Sequence, residues 1–231
     1  MKNWLYFLGG VAACVTLLSC GGGKVLDNVE LEAWREGKPQ GRMNMKLVEL
    51  KLENGKLGKH LTTEVKMSVG SRNRLHSINK MTMNSDFSLR AIDKVTNYED
   101  KETKLKITVE GNKVTVVKEM DGGKPKVEEI TVKDKVYGEI HHKIYAADLT
   151  RSGTEKIYHI FYEPIRQSVP LRVRCLERVS LEEGGETIPC IRYGVQSISK
   201  PGQFDDYYIS EKGHRLIRAN LGPITLKKSG S

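Results

Sequence analysis

From Val25 onward the chain alternates apolar and polar residues. Val65, Met67 and Val69 are separated by Lys66 and Ser68, and Leu105, Ile107 and Val109 by Lys106 and Thr108. A period of two sends successive side chains to opposite faces of a strand, so each apolar set belongs to one dry face. Gly111-Asn112 then leads into Val114-Thr115-Val116, a two-residue link of the kind that closes tight hairpins. The same reasoning predicts strands at residues 47–52, 87–95, 128–132, 156–162, 171–181, 187–197, 204–210, 216–220 and 224–227. Turn residues punctuate them at Asn54-Gly55, Asp121-Gly122-Gly123, Pro201-Gly202 and Lys212-Gly213. Residues 73–81 read two ways, because Leu75, Ile78 and Met81 also fit a helical face. The pattern predicts a mainly β fold: a curved antiparallel sheet, an incomplete barrel, with one or two helices packed on it.

One segment breaks the alternation. Between Tyr137 and Leu149, residues Ile140, Ile144 and Ala147, with Tyr137, fall on one stripe at helical spacing. No linker-like composition surrounds it, so a single domain over 28–231 is expected, with a two-domain alternative divided near residues 150–153. In the single-domain reading the helix packs on or near the dry face. Val65, Met67, Val69, Leu105, Ile107, Val109, Ile140 and Ile144 are then the candidate lining of an apolar cavity.

The first twenty residues carry an address. Lys2 precedes an uncharged, mostly apolar run that closes on Leu17-Leu18-Ser19-Cys20. Residues 1–19 read as a secretory signal with a small residue before the cysteine, and Cys20 as the site of lipid attachment. Gly21 to Gly23 open a tether expected over 20–27. A transmembrane anchor over residues 3–23 is the other reading. Its closing Ser, Cys and Gly leave an apolar core short of the roughly twenty residues a span needs. Two or three acyl chains, palmitate among them, would hold the protein stably where one holds it only reversibly.

Cys14 leaves with the signal, so Cys175 and Cys190 are the remaining thiols, flanking Glu182-Glu183-Gly184-Gly185. With the hairpin centred between Glu182 and Glu183 they sit opposite one another. With the turn at Gly184-Gly185 they are four residues out of register. Export favours a disulfide between them. The formal charge of +9 is interleaved with acidic residues, as on a solvated surface, and adds attraction to an anionic membrane. Nucleic acid is not an expected partner, since no basic-aromatic binding motif occurs.

The layout resembles the bacterial lipoprotein-carrier and receptor half-barrels of the LolA and LolB type. An acylatable Cys20, a strand-rich first half, a mid-chain helix and paired hairpins around Arg174–Val195 and Asp206–Arg218 carry the likeness. The resemblance implies a half-barrel facing the periplasm from the outer membrane. Gly21 rather than Asp after the cysteine implies the same sorting. The exposed apolar hand-over loop of the receptor type has no evident counterpart here.

No HExxH, GxSxG, GxxxxGK or dinucleotide fingerprint occurs, so neither an enzyme nor a cofactor is expected. Glu139, His141, His142 and Tyr145 come nearest to a metal set. Only His141 and Tyr145 share a helical face, short of the three or four ligands zinc requires. His60, His76, His159 and His214 read as surface or sheet residues. Tyr158, Phe161, Tyr162, Tyr207 and Tyr208 suit either a core or a cavity mouth. Arg166, Arg172, Arg174, Arg178 and Arg192 suit either a solvated face or lipid phosphate. The leading expectation is a non-catalytic protein binding a hydrophobic or lipid ligand. An envelope assembly or protein-interaction scaffold is the alternative.

Overall fold

The structure, a computed structural model, describes residues 23–69, 73–138, 142–162, 166–197 and 204–228, with Val69 and Asn73 described in backbone alone. The signal, Cys20, Glu139, Ile140 and His141 lie outside the described residues. Among the described residues, fifteen strands and one helix occur in the order β1 (Lys24–Arg35), β2 (Lys38–Lys51), β3 (Leu57–Val69), β4 (Asn73–Asn84), β5 (Leu89–Tyr98), β6 (Lys101–Glu110), β7 (Lys113–Met120), β8 (Lys126–Thr131), β9 (Val136–Tyr137), α1 (His142–Asp148), β10 (Glu155–Tyr162), β11 (Gln167–Glu183), β12 (Glu186–Ser197), β13 (Asp205–Ser210), β14 (Leu216–Leu221) and β15 (Ile224–Lys228). Backbone hydrogen bonds join them in the order β8-β7-β6-β5-β4-β3-β2-β1-β15-β14-β13-β12-β11-β10-β9. The order does not return on itself, so the sheet is open. It is antiparallel throughout the pairs that fix its register, except for the short β9 beside β10.

The chain forms two compact units that interleave in sequence. The first holds residues up to Asn28, Met43–Lys135 and Glu163–Gln167; the second holds Val29–Arg42, Val136–Tyr162 and Ser168–Ser231. In the first, five strands contribute one continuous apolar rung, Leu61–Met81–Ile92–Ile107–Val116. Every member is buried. β4 is a strand over the span that also fitted a helix, because Leu75, Ser77, Met81 and Met83 all point to the dry side. Ile78 points away from it, and its helical match is incidental. The Gly111-Asn112 turn closes between Glu110 and Lys113, as its residues predict.

In the second unit the corresponding rung is Ala33–Leu226–Ala219–Tyr207–Tyr193–Cys175, again buried throughout. The helix forms, but its buried side differs from the expected stripe. His142, Ile144, Tyr145 and Ala146 face inward and Ala147 is exposed. Tyr145 decides the phase, since burying it removes far more apolar area than burying Ala147 would.

The β11–β12 hairpin also settles its register. Gly184 and Gly185 both have positive φ, at 60° and 78°, the conformation of a two-residue turn that suits glycine and strains glutamate. Glu183 therefore pairs with Glu186, Cys175 with Tyr193 and Cys190 with Val179. The register centred on Glu182 and Glu183 is corrected accordingly. Both cysteines are free and buried. Several residues of offset, at about 3.3 Å each, exceed the reach of a disulfide.

Candidate functional site

Of the residues proposed to line a cavity, Val65, Leu105 and Ile107 share the dry face of the first unit. They keep only 6%, 3% and 0% of their exposure. Met67 and Val109 on the same strands are half-buried. Ile144 belongs to α1 in the second unit and is buried there.

Sequence reasoning did not anticipate a polar patch inside the first unit's dry face. On β4 and β5, Ser77 pairs with Thr96 and Asn79 with Lys94; β6 continues these rungs with Thr103 and Leu105. Ser77, Lys94 and Thr96 are buried. Thr96 Oγ1 and Asn79 Oδ1 are fully buried and have no hydrogen-bond partner. Most buried polar side chains in proteins do find one, and leaving one unpaired costs about 1–3 kcal/mol. Ser77 and Asn79 fall in the span 73–81 that also fitted a helix, and Thr96 lies just past the strand predicted over 87–95, so their inward placement was not legible.

The same face reaches an open rim. Inward-facing residues on β1 and β3 end in Val25 and Leu57, which are 53% and 58% exposed. Just inside them lie buried Asp27 and Lys59. The Lys59 ammonium donates to the Ser85 carbonyl and sits 4.3 Å from the Phe87 ring centre. Its pKa is lowered, first by burial, against the opposing fields of Glu49 and Asp86. Phe87 occupies the left-handed region at φ 65°, within a turn that is heavily cross-braced. Asn84 Nδ2 donates to Ser88 Oγ at 2.8 Å, Ser88 Oγ donates to Asp86 Oδ1 at 2.7 Å, and Lys135 pairs with Asp86. A left-handed phenylalanine persists only where its surroundings over-determine it.

The fold so built is similar to a solved crystal structure described as a β-barrel-like protein of domain of unknown function DUF1849 from Brucella abortus. The two are 10% identical, the match covers 87% of this chain and 94% of that one, and the TM-score is 0.54. The fold is barrel-like. A DUF1089 family protein from Pseudomonas aeruginosa is also similar, at 12% identity over 82% of this chain and 93% of that one, with a TM-score of 0.46. No protein-family model matches the sequence, and no curated protein does. The first of these likenesses concerns architecture alone.

In the second unit the aromatic residues form a core around Tyr145. Its ring lies 5.7 Å from Tyr158, 6.3 Å from Tyr193 and 6.1 Å from Tyr207, centre to centre; Tyr137 stacks edge-on against Tyr158 at 5.5 Å. Tyr193 donates its hydroxyl to the Leu149 carbonyl at 2.9 Å, and Tyr158 donates to Asp148 at 3.0 Å. Burial raises the hydroxyl pKa of each, Tyr193 to about 12. Of the aromatics singled out from sequence, Tyr158, Phe161 and Tyr207 are buried, while Tyr162 and Tyr208 are half-buried. Tyr145, the centre of the cluster, was visible only as a helical metal-set neighbour of His141.

The arginine stripe is neutralised by its own neighbours. Arg172 and Arg174 share Glu155, at 3.8 and 2.7 Å; Arg178 meets Glu211 at 3.0 Å; Arg166 pairs with Glu128. Arg192 donates to Glu177 at 2.9 Å and makes a fork on Asp206 with both contacts at 3.1 Å. These carboxylates occupy the geometry a phosphate would need. Among the described residues, no group of three or more His, Cys, Asp or Glu is placed to hold a metal ion.

Proposed function

We propose that the chain is an exported lipoprotein, acylated on Cys20 and facing the periplasm from the outer membrane, that binds a hydrophobic ligand without catalysing a reaction on it. The observation that carries the binding reading is the pair of unpartnered atoms, Thr96 Oγ1 and Asn79 Oδ1, set into an apolar face. An acyl ligand with a hydrogen-bonding head group meets both needs of that face. Its chain replaces apolar contacts and its head engages the hydroxyl and the amide. The apolar rim at Val25 and Leu57 lies on the same face but at the other end of the strands, eight residues of β3 from the Val65–Ser77–Thr96 rung, about 26 Å.

The scaffold reading draws on a different observation. Leu105 and Ile107 are almost completely buried, as in a filled core, and Tyr145 fills the second unit. A scaffold of that kind would meet its partner proteins at the sheet edges β8 and β9.

A fluorescent fatty-acid titration separates the two, using wild type and Thr96→Val. The valine keeps the shape of threonine and removes the orphaned hydroxyl, so the fold is retained. The binding reading expects saturable uptake by the wild type and an affinity roughly three- to tenfold weaker in the variant, one hydrogen bond's worth. No saturable binding, with a variant as stable as wild type or more so, would leave ordered water on the patch and favour the scaffold.

A further inference from the structure

We infer that the end of the first unit formed by the start of β1, the β2–β3 turn and the β4–β5 turn is a membrane-contact surface that rests on the lipid head groups. The inference rests on the proposed acylation of Cys20. The chain was expected to remain a tether through residue 27, yet β1 is already paired from Lys24. Four peptide steps separate Cys20 from Lys24, a reach of at most about 14 Å. The head-group layer on each side of a bilayer is itself about 5–7 Å deep. The start of β1 is therefore held at the membrane surface whatever path the glycines take.

Topology then brings other segments to the same end. Gly23 lies against the Glu49 carbonyl, so β1 starts where β2 finishes. Gly58 at the start of β3 pairs with Asn84 at the end of β4. Lys113 pairs with Thr131, and the chain beyond β8 returns Lys135 to Asp86 in the β4–β5 turn. This end presents two exposed apolar residues, Val25 and Leu57, amid exposed Lys24, Lys51, Lys56 and Lys133 and exposed Glu53, Asp86 and Asp134. Apolar side chains can enter the acyl boundary while lysines beside them meet phosphate, and it is the short tether that assigns this end to the membrane. The opposite end of the unit, at the β5–β6 and β7–β8 turns, has exposed Met120 and Val127 beside Lys124 and Lys126 but lies a strand's length from the tether. For the 13 residues of β3 that is about 40 Å.

The test uses the full-length protein purified from membranes and returned to vesicles of phosphatidylcholine with or without phosphatidylglycerol. An environment-sensitive fluorophore is placed at Leu57→Cys, or at Val25→Cys should the first variant misfold, and at Lys124→Cys at the far end. Bromine-labelled lipid is the quencher, and mass spectrometry of the same sample reads the acyl chains on Cys20. The expected result is acylated Cys20, at least twofold quenching at position 57 or 25, and none at 124. Lys51→Glu with Lys56→Glu should reduce that quenching in anionic vesicles and leave it unchanged in neutral ones. Acylated protein with equal quenching at both ends would overturn the contact surface and leave the lipoprotein reading standing. An unmodified Cys20 would overturn both.

Discussion

At the scale of single residues, chemistry in this protein is governed by burial more than by charge. Burial pushes the Cys190 thiol up to about 11, aided by Glu183 and Glu211, and raises Cys175 as well. Thiolate is the reactive form, so both cysteines should resist alkylation at neutral pH in the folded protein and react together on unfolding. Peptide mapping without reductant checks this, and a peptide joining positions 175 and 190 would contradict the register of the hairpin. Asp86 behaves in the opposite sense. Burial would raise its pKa, but Lys135 and the Ser88 hydroxyl and amide outweigh it and hold the carboxyl at about 2. A carboxylate held below its unfolded value of about 4 stabilises the fold above that value, and the contribution fades as pH falls from about 4 towards 2. Asp86→Asn should flatten the acid limb of the stability curve in that window, measured by denaturant melts at stepped pH. Because Asp86 is half exposed, the effect is a modest one.

At the scale of elements, the short helix is stable for tertiary reasons. Seven residues lack the length to form a helix alone, and α1 persists because Tyr145 is gripped by three other tyrosines while Tyr193 satisfies a carbonyl just past its end. Tyr145→Ala should cost about 3–5 kcal/mol, as deleting a buried aromatic does, and should lower the midpoint of thermal unfolding accordingly. Tyr193→Phe, which leaves the Leu149 carbonyl without its donor, should cost about 1–3 kcal/mol. The sequence made most strands and the existence of this helix legible, since each follows from a local period. The phase of the helix was not legible, because which side is buried depends on partners such as Tyr158, Tyr193 and Tyr207 that lie distant in the chain. The hairpin register turned on Gly184 and Gly185, whose positive φ is a property of glycine that the symmetry of the two cysteines obscured. The start of the first strand was not legible, because the tether expected over 20–27 overlaps a β1 that begins at Lys24.

At the scale of the whole molecule, an open sheet of barrel-like fold offers two buried faces of different character. The second unit's face holds an interlocked tyrosine core. That of the first unit carries an unpaired hydroxyl and an unpaired amide oxygen within apolar surroundings. Alternation in Val65, Met67, Leu105 and Ile107 announced that face, whereas Thr96 and Asn79 were silent until the register set them side by side with Ser77 and Lys94. The central claim is that this face holds an acyl ligand. Native mass spectrometry of the protein extracted from its membrane, without added lipid, tests it most directly. The account predicts a covalently acylated species carrying one further, non-covalent lipid that is lost or depleted in Thr96→Val. An acylated protein that flies without any such adduct, in a detergent that preserves known lipid complexes, would contradict it.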